Sequence, residues 1–172
     1  MFFNVRDLEV RKAQFDVAIP PGQIDFEDQK LRQITPLQAQ GTVELLVDAL
    51  NEIRVNGHLN VQVEAGCDRC LETVRFPLDA PFDLFYRPAD SIGGRQEFAI
   101  DEGESEIGFY EGNGLDLDDI LREEVLLLLP MQRVCSEACK GICPICGQNR
   151  NQVQCDCHAQ TIDDRWSALK NL

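Results

Sequence analysis

The alternation of apolar and polar side chains is clearest between residues 39 and 64. Residues 39–47 contain one apolar stretch, and residues 53–64 alternate so that one face is formed by Val55, Leu59, Val61 and Val63. A period of two residues is typical of a strand that buries one face. Because a short stretch at 48–52 separates the two runs, the pattern predicts an antiparallel hairpin.

Further short strands are expected on both sides of this hairpin, since their apolar residues alternate between turn-forming glycines and prolines. Prolines in two of the stretches indicate interruptions or edge positions. In chain order, the stretches are an edge strand with Phe2, Val5 and Leu8, a strand with Phe15, Val17 and Ile19, and then residues 73–78, 81–86, 98–100 and 107–110.

The periodicity changes to that of a helix over residues 116–129. Asp116 can cap this helix, and Asp119 stands at the capping-box position three residues later. Leu117, Ile120, Leu121, Val125 and Leu128 recur at helical spacing, and Pro130 ends the helix. Leu126, Leu127 and Leu129 widen the apolar face, so its last turns are expected to be buried. A second, short helix is expected within 161–170, where the side chains facing the core would be Ile162, Trp166 and Leu169.

Charge narrows the possible partners of this 172-residue chain, whose formal net charge is −14. Residues 101–124 carry ten acids and one arginine, so the uniform basic surface typical of nucleic-acid binding is absent. The acidic run is either a solvated face or a docking surface for a basic partner such as a ribosomal protein. No leader segment or membrane-length apolar run is visible, which predicts a cytoplasmic protein with reduced thiols and no membrane contact.

Six of the eight cysteines lie between residues 134 and 158, and the other two are Cys67 and Cys70. In a reducing compartment such clustering indicates metal binding rather than disulfides. Zinc takes four ligands in a tetrahedron, and two cysteines separated by two residues can reach one ion from a tight turn. The pattern therefore predicts a first zinc site formed by Cys143, Cys146, Cys155 and Cys157, with His158 as a possible replacement for the last cysteine.

The four remaining cysteines would form a second site, which joins the end of the hairpin to the end of the helix: Cys67, Cys70, Cys135 and Cys139. Two other arrangements are open from the spacing alone. In one, Cys135 and Cys139 share a metal with Cys143 and Cys146, and Cys67 and Cys70 share one with Cys155 and Cys157. In the other, the chain binds a single ion and the remaining thiols are free. The predicted cofactor is thus zinc, as one or two structural ions.

An enzymatic role is not expected, because a catalytic zinc keeps an open coordination position and an all-cysteine site does not. His58 lies on a predicted strand, and no phosphate-binding loop, nucleophile elbow or His-Glu-x-x-His motif is present. The expected fold class is α+β: an antiparallel β-sheet or partly closed barrel packed by one long helix, with a C-terminal cysteine-rich zinc knuckle and short helix. The expected domains are residues 1–130 and 131–172, which form one cooperative unit.

The ordered motifs resemble the YceD family of bacterial and plastid proteins. They are Cys67-Asp68-Arg69-Cys70 after a strand, the helix from Leu115 to Pro130, the cysteines from Cys135 to Cys157, and the closing segment from Asp163 to Leu169. The resemblance implies a role in accumulation of 23S ribosomal RNA, through its synthesis, processing or stability, and implies no catalytic activity.

Three functions are therefore compared. The first is a non-enzymatic large-subunit ribosome biogenesis factor with structural zinc, whose partner is a ribosomal protein or pre-ribosomal particle and which has no small-molecule substrate; direct contact with ribosomal RNA is disfavoured by the acidic charge. The second is a cysteine-based redox or metal-sensing protein. The third is a processing nuclease, which the lack of clustered histidines and carboxylates near the cysteines disfavours.

Overall fold

A computed structural model of the chain describes residues 1–46, 51–89 and 107–157. Close contacts divide the chain into two units. The first comprises Met1–Ala65 and Arg75–Met131, and the second comprises Gly66–Val74 and Gln132–Leu172. The polypeptide therefore enters the second unit between two strands of the first, leaves it, and returns after the last helix.

The described part of the chain is mostly β-structure with two short helices. The elements in chain order are β1 (Phe2–Asn4), α1 (Val5–Val10), β2 (Ala13–Ile19), β3 (Arg32–Gln33), β4 (Leu37–Leu46), β5 (Glu52–Gly66), β6 (Thr73–Pro88), β7 (Ile107–Tyr110), β8 (Gly114–Asp116) and α2 (Leu117–Leu128). Within the described residues, no helix combines the length and apolar character needed to cross a bilayer.

The main sheet has the strand order β2-β4-β5-β6-β7, with β3 beside β5, while β1 and β8 form a separate pair. Strand β4 pairs antiparallel with both β2 and β5, whereas β6 and β7 are parallel. The expected purely antiparallel sheet is therefore wrong, because the sheet is mixed. Parallel neighbours need a long crossover connection, and the stretch from 89 to 106 is long enough to provide one. Residues 73–88 form one strand instead of the two that were predicted.

The predicted hairpin is confirmed as the antiparallel pair β4–β5, in which Gly41 lies opposite Gly57. A Cβ atom at Gly41 would stand 2.7 Å from the ring of Phe15, and one at Gly57 would stand 2.9 Å from the ring of Phe82. The two rings stack with their centroids 6.5 Å apart and an interplanar angle of 16°. The glycine pair thus leaves the space that these two core rings occupy.

Helix α2 is shorter than the long helix predicted for 116–129, since it has 12 residues. Asp116 caps it as expected, because its carboxylate accepts a hydrogen bond from the N–H of Asp118 at 3.0 Å. The prediction that its last turns are buried is wrong for two leucines: Leu126 is 38% exposed and Leu127 is 76% exposed. At 100° per residue these two positions rotate away from the buried stripe, which consists of Leu117, Ile120, Leu121, Glu124 and Val125.

The N-terminal edge strand is also partly wrong, since only Phe2–Asn4 is extended and Val5–Val10 forms helix α1. The spacing of three between Phe2, Val5 and Leu8 suits a helical turn better than a strand. The side chain of Asn4 caps this helix by accepting from the N–H of Arg6 at 3.0 Å. The strand predicted at 98–100 and the helix predicted within 161–170 lie outside the described residues.

One hydrophobic core joins the inner face of the sheet to both helices. The buried side chains come from every second position of β2, β4 and β5, from Leu8 of α1 and from the buried stripe of α2. Ile24, Phe26 and Leu31, in a segment with little regular structure, also belong to it. This core gives the first unit its own source of stability.

We predict that Leu121→Ala lowers the free energy of unfolding by about 3 kcal/mol, because it removes a fully buried side chain and leaves a cavity. Leu121 is 0% exposed. Urea denaturation measures the change. The matched control in the same helix is Leu127→Ala, which we expect to change the free energy by less than about 0.5 kcal/mol. Equal losses for both variants would contradict the observed orientation of α2.

Candidate metal centres

The second unit contains two sets of four cysteines, and within each set all ligand atoms lie within 4.8 Å of one another. The first cysteine set is Cys67, Cys70, Cys135 and Cys139, and the second cysteine set is Cys143, Cys146, Cys155 and Cys157. The spacing left open which cysteines share a site. In the structure, Cys135 and Cys139 lie with Cys67 and Cys70, and not with Cys143 and Cys146. His158 lies outside the described residues.

The first cysteine set begins in the turn between β5 and β6. The N–H of Cys67 donates to the carbonyl of Glu72 at 2.7 Å, and the N–H of Leu71 donates to the carbonyl of Cys67 at 2.9 Å. Leu71 has a φ of 65°, a left-handed conformation that an apolar side chain rarely adopts. This tight turn places the sulfurs of Cys67 and Cys70 on the same side of the chain.

The sulfur distances in this set fit tetrahedral thiolate coordination. The Sγ atoms of Cys67 and Cys139 are 3.9 Å apart, and those of Cys70 and Cys135 are 3.7 Å apart. A tetrahedron with metal–sulfur distances of about 2.3 Å has edges of about 3.8 Å. A disulfide would require about 2.05 Å, and all eight cysteines are free thiols.

The protein environment favours ionisation of some thiols of the first cysteine set and opposes that of others. Burial opposes ionisation of Cys67, but the N–H groups of Cys70, Cys135 and Arg69 outweigh it and lower its pKa to about 6. Cys70 gains an N–H bond from Glu72, yet burial and the neighbouring sulfurs dominate and raise its pKa to about 12. Neighbouring sulfurs also raise the pKa of Cys135, chiefly through Cys139. Opposite shifts within one set are the expected result of crowding several anions, and a bound cation would relieve the repulsion.

The second cysteine set is built on a small hairpin that starts at Cys143. The N–H of Cys143 donates to the carbonyl of Gln148 at 2.8 Å, and the N–H of Gly147 donates to the carbonyl of Cys143 at 2.9 Å. Gly147 has a φ of 73°, which glycine adopts without strain and which closes the turn. The N–H groups of Cys146 and Ile145 lower the pKa of the Cys143 thiol to about 6.

The two sets differ in exposure. Three thiols of the first set are buried, namely Cys67, Cys70 and Cys139, whereas Cys143 is the one buried thiol of the second set. The contact with Cys146 and burial raise the pKa of Cys157 to about 12, and the contact with Cys143 raises that of Cys155. The second set is therefore more accessible to solvent reagents than the first.

Asn151 joins the thiols of the first set to the segment that carries the second. Its side-chain amide donates to the Sγ of Cys139 at 3.3 Å, and its carbonyl oxygen accepts from the N–H of Lys140 at 2.8 Å. The hydrogen bond from the Asn151 amide to the Sγ of Cys139 is the main cause of the lowered pKa of this thiol. Asn151 could not be singled out from the sequence, because it lies in a polar run and its thiol partner is at a sequence separation of 12.

Arg69 also forms hydrogen bonds to the segment between Glu137 and Ile142. Its backbone carbonyl accepts from the N–H of Ile142 at 2.9 Å, and its guanidinium donates to the carbonyls of Glu137 and Cys139 at 3.3 and 3.4 Å. A Cβ atom at Gly141 would stand 2.9 Å from the carbonyl oxygen of Arg69. The close approach of these two backbones therefore requires a glycine at position 141.

We predict that Asn151→Ala lowers metal affinity by about tenfold, because the variant loses a hydrogen bond to a ligating thiolate. Competition with a chromogenic chelator, measured with Zn²⁺ and with Cd²⁺, gives the affinity. The matched control is Gln152→Ala, since the amide of Gln152 donates to the carboxylate of Glu72 at 3.0 Å and not to a sulfur. An equal effect of both variants would show that the loss arises from general loosening of the segment.

Comparison with known proteins identifies relatives that share this region. The model of the family "Large ribosomal RNA subunit accumulation protein YceD" matches residues 55–172. The chloroplastic Large ribosomal RNA subunit accumulation protein YCED homolog 1 of Arabidopsis thaliana is 26% identical over 154 residues, covering 76% of this chain and 48% of that protein. An uncharacterized protein of Mycobacterium tuberculosis (strain H37Rv) is 31% identical over 132 residues, covering 76% of this chain and 60% of that protein.

Another relative matches nearly end to end. The uncharacterized protein YlbN of Bacillus subtilis is 22% identical over 174 residues, covering 99% of this chain and 93% of that protein. The chain thus spans about half of the Arabidopsis relative and nearly all of the Bacillus one. No solved structure matches this chain. Since the family model covers more than half of the chain and all eight cysteines, the resemblance seen in the sequence is confirmed, and the chain belongs to the YceD family.

Proposed function

We propose that this protein supports the accumulation of large-subunit (23S) ribosomal RNA as a non-enzymatic factor with structural zinc. The observation that carries the proposal is the family match over residues 55–172, which spans both cysteine sets. The printed name of the Arabidopsis relative, a large ribosomal RNA subunit accumulation protein, supports the same role. We propose a cytoplasmic location, since a cysteine-rich metal site needs the reduced thiols of that compartment.

Zinc is the metal best suited to both cysteine sets, as one ion in each. Four thiolates in a tetrahedral arrangement are typical of structural zinc, and iron–sulfur clusters are the chemical alternative. Sulfur atoms at 3.7 and 3.9 Å fit the edges of a single-ion tetrahedron. A site with four protein sulfurs has no open position for a substrate or water, which supports a structural role for the metal and a non-enzymatic role for the protein.

The partner we propose is a basic ribosomal protein or a pre-ribosomal particle, with no small-molecule substrate. A net charge of −14 repels phosphates and attracts lysine- and arginine-rich surfaces. Lys140 and Arg150 are exposed beside the cysteine sets and could contact RNA within such a particle. Arg133 is less available, because its backbone N–H and its side chain both approach the carboxylate of Asp68.

We predict that deleting the gene lowers the ratio of large- to small-subunit ribosomal RNA, and that the unaltered chain restores it. Quantitative northern blotting or sequencing of total RNA measures the ratio. Cys67→Ser combined with Cys70→Ser should fail to restore it, because the first set then loses two ligands. The control is Arg11→Ser, an exposed residue of the first unit. An unchanged ratio on deletion would refute the proposed function.

A second function, redox or metal sensing, is favoured by the exposure of Cys146 and Cys157 in the second set. Exposed thiolates react with oxidants more readily than buried ones. The structural proposal and the sensing alternative differ in how firmly the second ion is held.

We predict that the purified protein contains two zinc ions per chain and that dilute hydrogen peroxide leaves both in place. Elemental analysis and a zinc-responsive dye measure the content before and after treatment. Cys146→Ser should reduce the content to one ion and leave the first set loaded. Rapid release of one of the two ions, reversed by a reductant, would favour the sensing function over the structural one.

A further inference from the structure

The first unit has a groove between β7, the β1–β8 pair and α2, with a cavity volume of about 350 Å³. Buried side chains form its floor, namely Tyr86, Tyr110, Leu115 and Ile120. Two phenylalanines line it as well and remain open to solvent, since Phe2 is 56% exposed and Phe109 is 46% exposed. Exposed aromatic side chains beside an apolar cleft are characteristic of protein-binding surfaces.

The floor of the groove contains the hydroxyl group of Tyr86. Tyr86 is 8% exposed, and within residues 1–46, 51–89 and 107–157 its hydroxyl makes no hydrogen bond. Burial, followed by the charges of Glu123 and Glu124, raises the pKa of Tyr86, so the hydroxyl stays neutral and lies in a negative potential.

The rim of the groove is acidic, and part of that charge is not neutralised. Asp116 is paired with the N-terminal ammonium at 3.3 Å. Arg122 also lines the groove, and its guanidinium is paired with Asp119 at 3.2 Å and with Glu27 at 3.5 Å. Glu111 and Glu123 are exposed and form no ion pair within the described part of the chain. Among the described residues, two carboxylates without an ion-pair partner thus line a cleft that has aromatic walls and a tyrosine hydroxyl at its base.

We propose that this groove binds an arginine or lysine side chain from a basic segment of a partner protein. The aliphatic stem of such a side chain would lie against Phe2 and Phe109, where an arginine can also stack on a ring. Its cationic head would meet Glu111 and Glu123 and donate a hydrogen bond to the Tyr86 hydroxyl. The inference rests on the proposed function for the kind of protein that supplies the segment, since ribosomal proteins are basic.

Charge argues against RNA as the occupant. Single-stranded RNA presents an aromatic base that could enter the groove, but its phosphates would approach Glu111 and Glu123. A cationic peptide satisfies the floor, the walls and the rim together.

The experiment measures binding of a fluorescein-labelled peptide of alternating arginine and serine to the full, zinc-loaded chain by fluorescence anisotropy. We expect Glu111→Lys combined with Glu123→Lys to weaken binding by about tenfold or more, because like charges then meet. The control with the same change in net charge is Glu9→Lys combined with Asp16→Lys, two exposed acids outside the groove, for which we expect less than about a twofold change. Equal losses would overturn the inference, since net charge alone would then explain binding.

Two further variants test the walls and the floor. Phe109→Ser should weaken binding by about tenfold, whereas Val10→Ser, at a residue 84% exposed, should not. Tyr86→Phe should weaken it by about fivefold while circular dichroism stays unchanged, because it removes a single hydrogen-bond acceptor. Binding of a single-stranded RNA in place of the peptide would overturn the inference.

The outcome is separable from that of the proposed function. If the unaltered chain restores large-subunit ribosomal RNA and the Glu111→Lys, Glu123→Lys variant does so equally well, the groove inference fails and the function stands. If the unaltered chain has no effect on ribosomal RNA, the function fails, and the anisotropy measurement still decides whether the groove binds a cationic side chain.

Discussion

Mutual repulsion of crowded sulfur atoms is the constraint on which the second unit depends. Four sulfurs within 4.8 Å of one another cannot all ionise without a counter-charge. The opposite pKa shifts of Cys67 and Cys70 express this conflict. A divalent cation would remove it and would bind all four sulfurs at once, so metal binding and folding of this unit would be one process. Among the described residues, the apolar cluster at the first set contains little besides three cysteines, with Val74 and Val134 packed against them, and it is too small to hold this part of the unit together alone.

Hydrogen bonds around the sulfurs keep the unit in one arrangement. Glu72 illustrates this, because its carboxylate accepts from the side-chain amides of both Asn149 and Gln152. Together with the contacts of Asn151 and Arg69, these bonds join the turn between β5 and β6 to the segment after Cys139. Hydrogen bonds of this kind orient metal ligands and thereby raise the affinity for the metal.

Local signals were sufficient for part of this molecule. The alternation in residues 53–64 predicts β5, the acid at Asp116 predicts the start of α2, and the Cys-x-x-Cys pairs predict the tight turns. The mixed sheet was not predictable in the same way, because the parallel pairing of β7 with β6 depends on how the chain crosses over between them. The exposed Leu127 was missed because composition alone suggested a broad apolar face, whereas burial follows the angular position around the helix. Asn151 was missed for a similar reason, since its role exists only once two distant stretches meet.

The position of the first cysteine set along the chain also affects the first unit, through the unfolded state. Cys70 and Cys135 are 65 positions apart in sequence, and the residues between them include β6, β7, β8 and α2. As long as the second unit stays folded around an ion held by both, this stretch would remain closed as a loop even when the first unit unfolds. Loop closure of that length removes chain entropy equivalent to roughly 4 kcal/mol. The metal would thereby act as a cross-link for strands and a helix that it does not touch, as a reversible counterpart of a disulfide.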